Sequence, residues 1–280
     1  MMKIDITMVA VIRPELVRRT LKSIIKNIVD NPDRFTLILN IDPIGEKTKP
    51  KKVAKVAKEY FSNVIYNIAK KPSFPKAVKW VWENSYSPFV FHIEDDWDIA
   101  RKIDINHMIK IMNKYQDLSS LRLYKYRTPK SKKFFTFSCA WEYNKDGFYV
   151  AKDWRKQFGL NPILIRREFL DEALPRMRDD INPEKQFRDT QAYMEPVIRE
   201  WKYGLYTNPG DSALVIDTGT KWRTKTNFIG RGEPIYTYNN TERIGNLSFK
   251  LIIDYPPQVR GLNHVEASRF FAFGPSAMPI

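Results

Sequence analysis

Three consecutive carboxylates, Glu94, Asp95 and Asp96, follow the apolar run Phe89-Val90-Phe91-His92-Ile93. Adjacent carboxylates repel one another unless a cation or hydrogen bonds compensate, and a hard divalent ion that also takes diphosphate oxygens is a common resolution. Mg²⁺ or Mn²⁺ suits such a site. Glu-Asp-Asp runs also occur in solvated turns, but the preceding residues read as a strand buried on both faces and Trp97 follows directly. The pattern therefore describes a core strand that delivers acids to a crevice. In open α/β sheets ligands gather beyond the carboxyl ends of parallel strands. Arg13 and Asp42 occupy equivalent positions after two earlier strand-like runs.

The elements that must position these residues alternate in type. The spacing predicts strands over Asp5–Ile12, Phe35–Ile41, Val64–Asn67 and Phe89–Ile93, with helices over Pro14–Asn27, Lys51–Phe61 and Pro75–Asn84 between them. Such alternation implies a parallel sheet covered by helices. In the first helix Leu16, Thr20, Leu21, Ile24, Ile25 and Ile28 share a face while Arg18, Arg19, Lys22 and Lys26 fall elsewhere, and Pro14 suits the first turn. Beyond Asp104 the pattern is mixed: helix over Ile105–Tyr115, strands near Ser120–Tyr124 and Phe134–Ala140, and helix over Arg167–Ala173. The last sixty or so residues, rich in Gly, Pro, Asn and Thr, read as irregular loops packed on a core.

A chain of 280 residues can bury a substantial core without dividing into independent units. The expected organisation is one domain, with residues 1–104 forming one ligand-binding half and 105–280 a second half with a C-terminal segment. At 43% hydrophobic and 14% aromatic residues the chain is too apolar for a disordered polyelectrolyte. The one cysteine, Cys139, permits no intrachain disulfide, so the cytosol is the expected compartment. The apolar run Ile6–Ile12 is far shorter than a membrane span, so no span is expected. The 47 Lys and Arg against 32 Asp and Glu give a formal charge of +15, which favours polyanionic partners. Nucleic acid ranks ahead of a membrane surface because no strongly amphipathic Trp/Leu-faced helix accompanies the charge.

At the acidic cluster the chain resembles the GT-A glycosyltransferases, which carry an Asp-x-Asp or Glu-Asp-Asp motif after a hydrophobic strand. Ile6–Pro14 followed by Val17-Arg18-Arg19-Thr20-Leu21 looks like their opening strand, nucleotide loop and helix. The resemblance implies a Rossmann-like α/β fold with a central, mostly parallel sheet flanked by helices, a nucleotide-sugar donor and a divalent metal. It implies a donor site made of Ile12, Arg13, Asp42, Lys76 and Asp95, with Asp42 reading the base or ribose and Lys76 helping to hold phosphates. Asp96 would ligate the metal, Asp95 would contact ribose or sit behind the ligands, and Glu94 would support the strand.

Within the superfamily the pattern is similar to that of the N-acetylglucosaminyltransferase I type. By that likeness Asp189, in Pro183-Glu184-Lys185-Gln186-Phe187-Arg188-Asp189, would be the general base of an inverting displacement, with Asp179, Asp180 and Glu195 as alternatives. A late metal contact usual in these enzymes is a His in a Val-x-His-x-Gly-like segment. This chain has Val215-Ile216-Asp217-Thr218-Gly219, so Asp217 would take that place, and His264 competes for it. Lys221 and Arg223 would neutralise the leaving diphosphate. His92 and His107 read as structural.

Basic residues cluster at Lys47–Lys58, which reads as a solvated face, and at Lys125, Arg127, Lys130, Lys132 and Lys133. The second set interleaves with Tyr124, Tyr126, Phe134 and Phe135, a mixture suited to nucleic acid. A compact, basic GT-A chain is similar to small phage-type DNA glycosyltransferases. That likeness implies UDP-glucose as donor and double-stranded DNA carrying glucosylated hydroxymethylcytosine as acceptor, in the host cytoplasm. Such a glucose projects into the major groove, so docking is expected without base flipping. Two other readings stay open: a GT-A enzyme acting on surface polysaccharide, and a metal-dependent nuclease using the same acids.

Overall fold

A computed structural model describes residues 2–126, 140–153, 157–188, 191–219 and 222. In chain order the elements are β1 (Ile4–Ile12), α1 (Pro14–Asn27), β2 (Phe35–Gly45), α2 (Lys51–Tyr60), β3 (Val64–Ile68), α3 (Phe74–Glu83), β4 (Phe89–Glu94) and β5 (Trp97–Ile99). There follow α4 (Ile105–Lys114), β6 (Leu118–Leu123), β7 (Trp141–Asn144), β8 (Phe148–Ala151), β9 (Ile163–Arg166), α5 (Arg167–Ala173), α6 (Pro183–Arg188), α7 (Glu195–Ile198), β10 (Lys202–Tyr206) and β11 (Val215–Asp217).

Nine of the described strands form one sheet in the order β3-β2-β1-β4-β9-β6-β10-β8-β7, and β5 pairs with β11 in a separate ribbon. Strands β1 to β4 are mutually parallel. The short β9 runs antiparallel to both β4 and β6, and β10 is parallel to β6. Two reversals cancel, so β6 and β10 point the same way as β1 to β4. Their carboxyl ends all reach one edge of the sheet.

Every residue of β1 is buried, as a central strand covered on both faces requires. Ile4, Ile6, Met8 and Ala10 pack with α1, α2 and α4 on one face. On the other, Val9 packs with α3, α5 and Phe187 of α6. The burial of Leu16, Val17, Thr20, Leu21 and Ile24 follows the helical period expected of α1.

The first half agrees with expectation to within a few residues at each boundary, and the fold is α/β with a mostly parallel sheet. The second half departs from it. Strands β7 to β10 are only four or five residues long, too short for their alternation to stand out. The expected strand at 134–140 lies almost wholly outside the described residues. His92 sits at the heart of the second face, its Nδ1 receiving the Trp82 indole N–H at 3.1 Å and lying 3.0 Å from Thr7 Oγ1. Burial depresses its pKa to about 3, so it is a neutral core histidine, as expected. His107 pairs through Nδ1 with Tyr206 Oη at 3.0 Å.

Candidate active site

β4 ends at the carboxyl edge beside β1, and the chain then folds over the end of that neighbour. The Asp95 N–H bonds the Val9 carbonyl at 3.1 Å, and the Asp95 carbonyl accepts from Thr20 Oγ1 of α1 at 2.8 Å. The Asp95 carboxylate accepts from Val11 N–H at 3.1 Å and from Arg13 Nε at 2.9 Å, while Arg13 Nη2 bonds its other oxygen. This planar fork is buried at both partners and joins the ends of β1 and β4. Asp95 therefore anchors the strand ends.

The same Arg13 Nη2 lies 2.9 Å from Asp96 Oδ2, and its guanidinium carbon is 5.1 Å from the centre of the Trp222 ring. Asp96 is tied from the other side by Thr218, whose N–H and Oγ1 both reach the Asp96 carbonyl at 2.8 Å. The β5–β11 ribbon sets Trp97 opposite Asp217, which is exposed and accepts from the Gly219 N–H at 2.9 Å. A Cβ at Gly219 would overlap the Asp96 carboxylate, so only glycine permits this approach.

Burial is the main cause that raises the Asp96 pKa; Asp95 and Asp217 add repulsion and Arg13 opposes the rise. Glu94 is held well above the ordinary glutamate value, first by burial and then by Asp96, Glu184 and Asp95. Arg13 offsets part of this negative charge, and a bound cation would offset more of it.

Asp96 and Asp217 offer only hard oxygen donors. Among the described residues no group of three metal-ligating side chains is gathered. That set fits Mg²⁺ or Mn²⁺, which is commonly held by one or two carboxylates with the remaining positions filled by substrate phosphates and water.

Glu184 was not singled out as a functional residue from the sequence. It stands in the first turn of α6, where Asn182 Oδ1 accepts from the Lys185 N–H at 3.1 Å, and its Oε1 accepts from the Leu160 N–H at 2.7 Å just before β9. It adds to the negative field on Glu94. The available signal was its place directly after Asn182-Pro183, a helix start beside the expected base segment.

A cleft of about 480 Å³ opens at the ends of β2 and β3, lined by Asp42, Asn67, Lys70, Lys71, Lys76 and Trp80 among others. Its floor is a chain of polar contacts: Asn67 Nδ2 donates to Asn40 Oδ1 at 2.8 Å, Asn40 Nδ2 to Asp42 Oδ1 at 3.0 Å, and the Ser73 N–H to Asp42 Oδ2 at 3.0 Å. Buried Ile12 borders this edge through its carbonyl, which accepts from the Glu46 N–H at 2.6 Å. Gly45 lies against Ile12 with φ of +120°, a conformation that favours glycine.

Burial lifts the Asp42 pKa from 3.8 to about 6. Between those values the folded protein holds a proton that the unfolded chain has released, so stability falls as pH rises through the window. Asp42→Asn should flatten that part of the profile of urea midpoint against pH. An unchanged slope would show that Asp42 does not titrate there.

Arg13 thus joins Asp95 to Asp96, Asp217 lies near enough to add to the negative field on Asp96, and Asp42 and Lys76 share the neighbouring cleft. Lys125 lies with its Nζ 5.7 Å from the centre of the Trp97 ring. Asp180 pairs with Arg178, Asp179 lies 3.6 Å from Lys79 Nζ, and Glu195 opens α7. Asp189, Lys221, Arg223, His264, Arg127, Lys130, Lys132 and Lys133 lie outside the described residues.

The described elements form an α/β fold with a mostly parallel central sheet flanked by helices, a fold shared with solved glycosyltransferase structures. No protein-family model and no curated protein matches the sequence. Among solved structures, S. aureus TarS superposes with a TM-score of 0.51 at 14% identity, over 78% of this chain and 37% of that one. S. aureus TarS 1-349 in complex with UDP-GlcNAc gives 0.51 at 11% identity, over 76% and 58%. The mannosyltransferase PcManGT from Pyrobaculum calidifontis, in complex with GDP-Man and Mn²⁺, gives 0.50 at 12%, over 74% and 55%. The chain therefore spans less than two thirds of each of these structures.

Among the described residues no helix is long and apolar enough to cross a membrane.

Proposed function

We propose that the chain is a metal-dependent, inverting glycosyltransferase that moves glucose from UDP-glucose to glucosylated hydroxymethylcytosine in double-stranded phage DNA. The observation that carries the donor half of this reading is one continuous edge. A cleft holding Asp42, Asn67 and three lysines adjoins the buried acids Asp95 and Asp96, on a fold shared with structures that hold UDP-GlcNAc or GDP-Man and Mn²⁺. Asp42 and Asn67 have the hydrogen-bonding groups to read a uracil or ribose, and Lys70, Lys71 and Lys76 have the charge to meet a diphosphate.

Asp96 and Asp217 would hold the metal, with His264 as a rival for the second place, and Lys221 and Arg223 would add charge beside the leaving group. When bound, the ion supplies electrostatic stabilisation of the departing diphosphate. Asp189 acts as general base: it takes the proton of the acceptor hydroxyl as that oxygen bonds to the sugar C1. The C1–O bond to the β-phosphate breaks, and UDP leaves with the bonding pair. Glu184, next to Glu94, helps keep the base region electronegative. Asp95 and Arg13 hold the two strand ends in register while this happens.

The acceptor assignment draws on the charge of +15 and on Lys125 beside Trp97, with Arg127, Lys130, Lys132 and Lys133 following in the chain. The test is UDP release from UDP-glucose with Mn²⁺, comparing glucosylated duplex, unmodified duplex and no acceptor, together with duplex binding in rising salt. Stimulation by glucosylated DNA and a steep loss of binding with salt are expected. Release stimulated by a glycan polymer but not by DNA would overturn the acceptor. Nicking of DNA without UDP release would overturn the transferase.

A further inference from the structure

The acidic end of β4 and the carboxyl end of β6 lie on the same sheet edge with only β9 between them. That is two strand spacings, or about 10 Å. Tyr124, Lys125 and Tyr126 follow β6 directly. The Tyr124 carbonyl accepts from the Leu214 N–H at 2.9 Å, one residue before β11, so this segment is fastened to the ribbon that carries Asp217.

The rings of Tyr124 and Tyr126 meet edge to face, their centres 5.7 Å apart, and Tyr126 is 59% exposed. Tyr124 and Tyr143 of β7 pack against one small cluster of Trp141, Tyr149 and Leu205. At its rim Tyr143 Oη donates to Asn208 Oδ1 at 2.9 Å, and the Asn208 N–H bonds Asp211 Oδ2 at 2.8 Å.

We propose that this tyrosine edge is the subsite for the hexose ring of the acceptor, an inference that rests on the glycosyltransferase reading. A hexopyranose has apolar C–H faces and a rim of hydroxyl groups. Ring surface combined with hydrogen-bond acceptors is what it needs. The carboxylate of Asp211, held by the Asn208 N–H and 3.8 Å from Arg101 Nη2, supplies acceptor oxygens of the kind that sugar hydroxyls use. A nucleobase can also stack on such rings, so the comparison of glucosylated with unmodified duplex separates the two occupants. Lys125, with Nζ 5.3 Å from the Tyr126 ring and 5.7 Å from that of Trp97, stands between the subsite and the acids. The subsite thus sets the acceptor sugar beside the donor and leaves the polyanion to the surrounding basic residues.

Tyr126→Ala removes an exposed ring. It should raise the KM for glucosylated duplex by about tenfold, equivalent to about 1.4 kcal/mol, while leaving UDP affinity and the acceptor-free hydrolysis of UDP-glucose unchanged. Saturation-transfer NMR with methyl α-glucoside tests the same surface without any turnover. Signals from the sugar ring protons are expected in the wild type and should be lost in Tyr126→Ala. Should the wild type transfer no sugar, this binding arm still decides the subsite. Absence of saturation in the wild type would overturn the proposal, as would an unchanged signal and KM in the variant. An equal loss of affinity for unmodified and glucosylated duplex would also overturn it, by marking the rings as a DNA-stacking surface.

Discussion

Asp96→Ala should abolish metal-dependent donor binding while the protein remains folded, and Asp95→Ala should do the reverse of what its neighbouring position suggests by acting first on stability. The Asp96 carboxylate bonds Arg13 and is repelled by Asp95 and Asp217, so its loss relieves repulsion and removes the proposed hard oxygen ligand. A fall in kcat/KM of about 10³-fold is expected, in the range for removing one transition-state stabiliser. Calorimetric titration of Mn²⁺ in the presence of UDP should lose its binding heat. Asp95 is different because its carboxylate binds Arg13 through two guanidinium nitrogens and also holds the Val11 N–H. Removing it leaves a buried guanidinium without its main partner, which costs about 3–5 kcal/mol. The urea midpoint should drop accordingly. Retained Mn²⁺ binding in Asp96→Ala would sink the ligand assignment, and an unaltered midpoint in Asp95→Ala would sink the anchoring role.

The second large effect concerns the base. Asp189→Asn should lower kcat by about 10²–10⁴-fold, the usual contribution of a positioned proton acceptor, with UDP affinity intact. Glu184→Gln should cost only about tenfold, since its Oε1 is engaged with the Leu160 N–H and its influence on the site is electrostatic. Glu184→Gln removes negative charge that raises the Glu94 pKa, so Glu94 should titrate at a lower pH, read from its carboxyl carbon shift by NMR. Near-normal kcat in Asp189→Asn together with collapse in Glu184→Gln would transfer the base assignment to Glu184.

The first half of the fold was readable from the sequence because its elements are long and periodic. Leu16, Leu21 and Ile24 mark one face of a 14-residue helix, and Phe89–Ile93 is a run of core residues ending in acids. Both signals are local. The pairing of Arg13 with Asp95 spans 82 positions and follows from which strands become neighbours, a fact of topology that no local spacing contains. The place of Arg13 after the first strand pointed to the crevice, and the structure adds that its guanidinium bonds the acids there. Gly219 was noticed only as part of a motif with Asp217. Its requirement for a missing Cβ becomes visible once Asp96 is beside it. Strand β9 escaped notice because four residues, Ile-Leu-Ile-Arg, read equally well as the start of the helix that follows.

β9 also determines when the site matures during folding. β4 pairs with β1 on one side, but its other edge is closed by Ile163–Arg166, about seventy residues further along the chain. Until that segment arrives, the apolar strand ending in Glu94 has one open edge, which is a surface prone to mispairing. Pairing across such a separation is slow relative to local contacts. Since the same four residues join β4 to β6, Asp95, Asp96 and the tyrosine edge take up their mutual spacing only once that segment is in place.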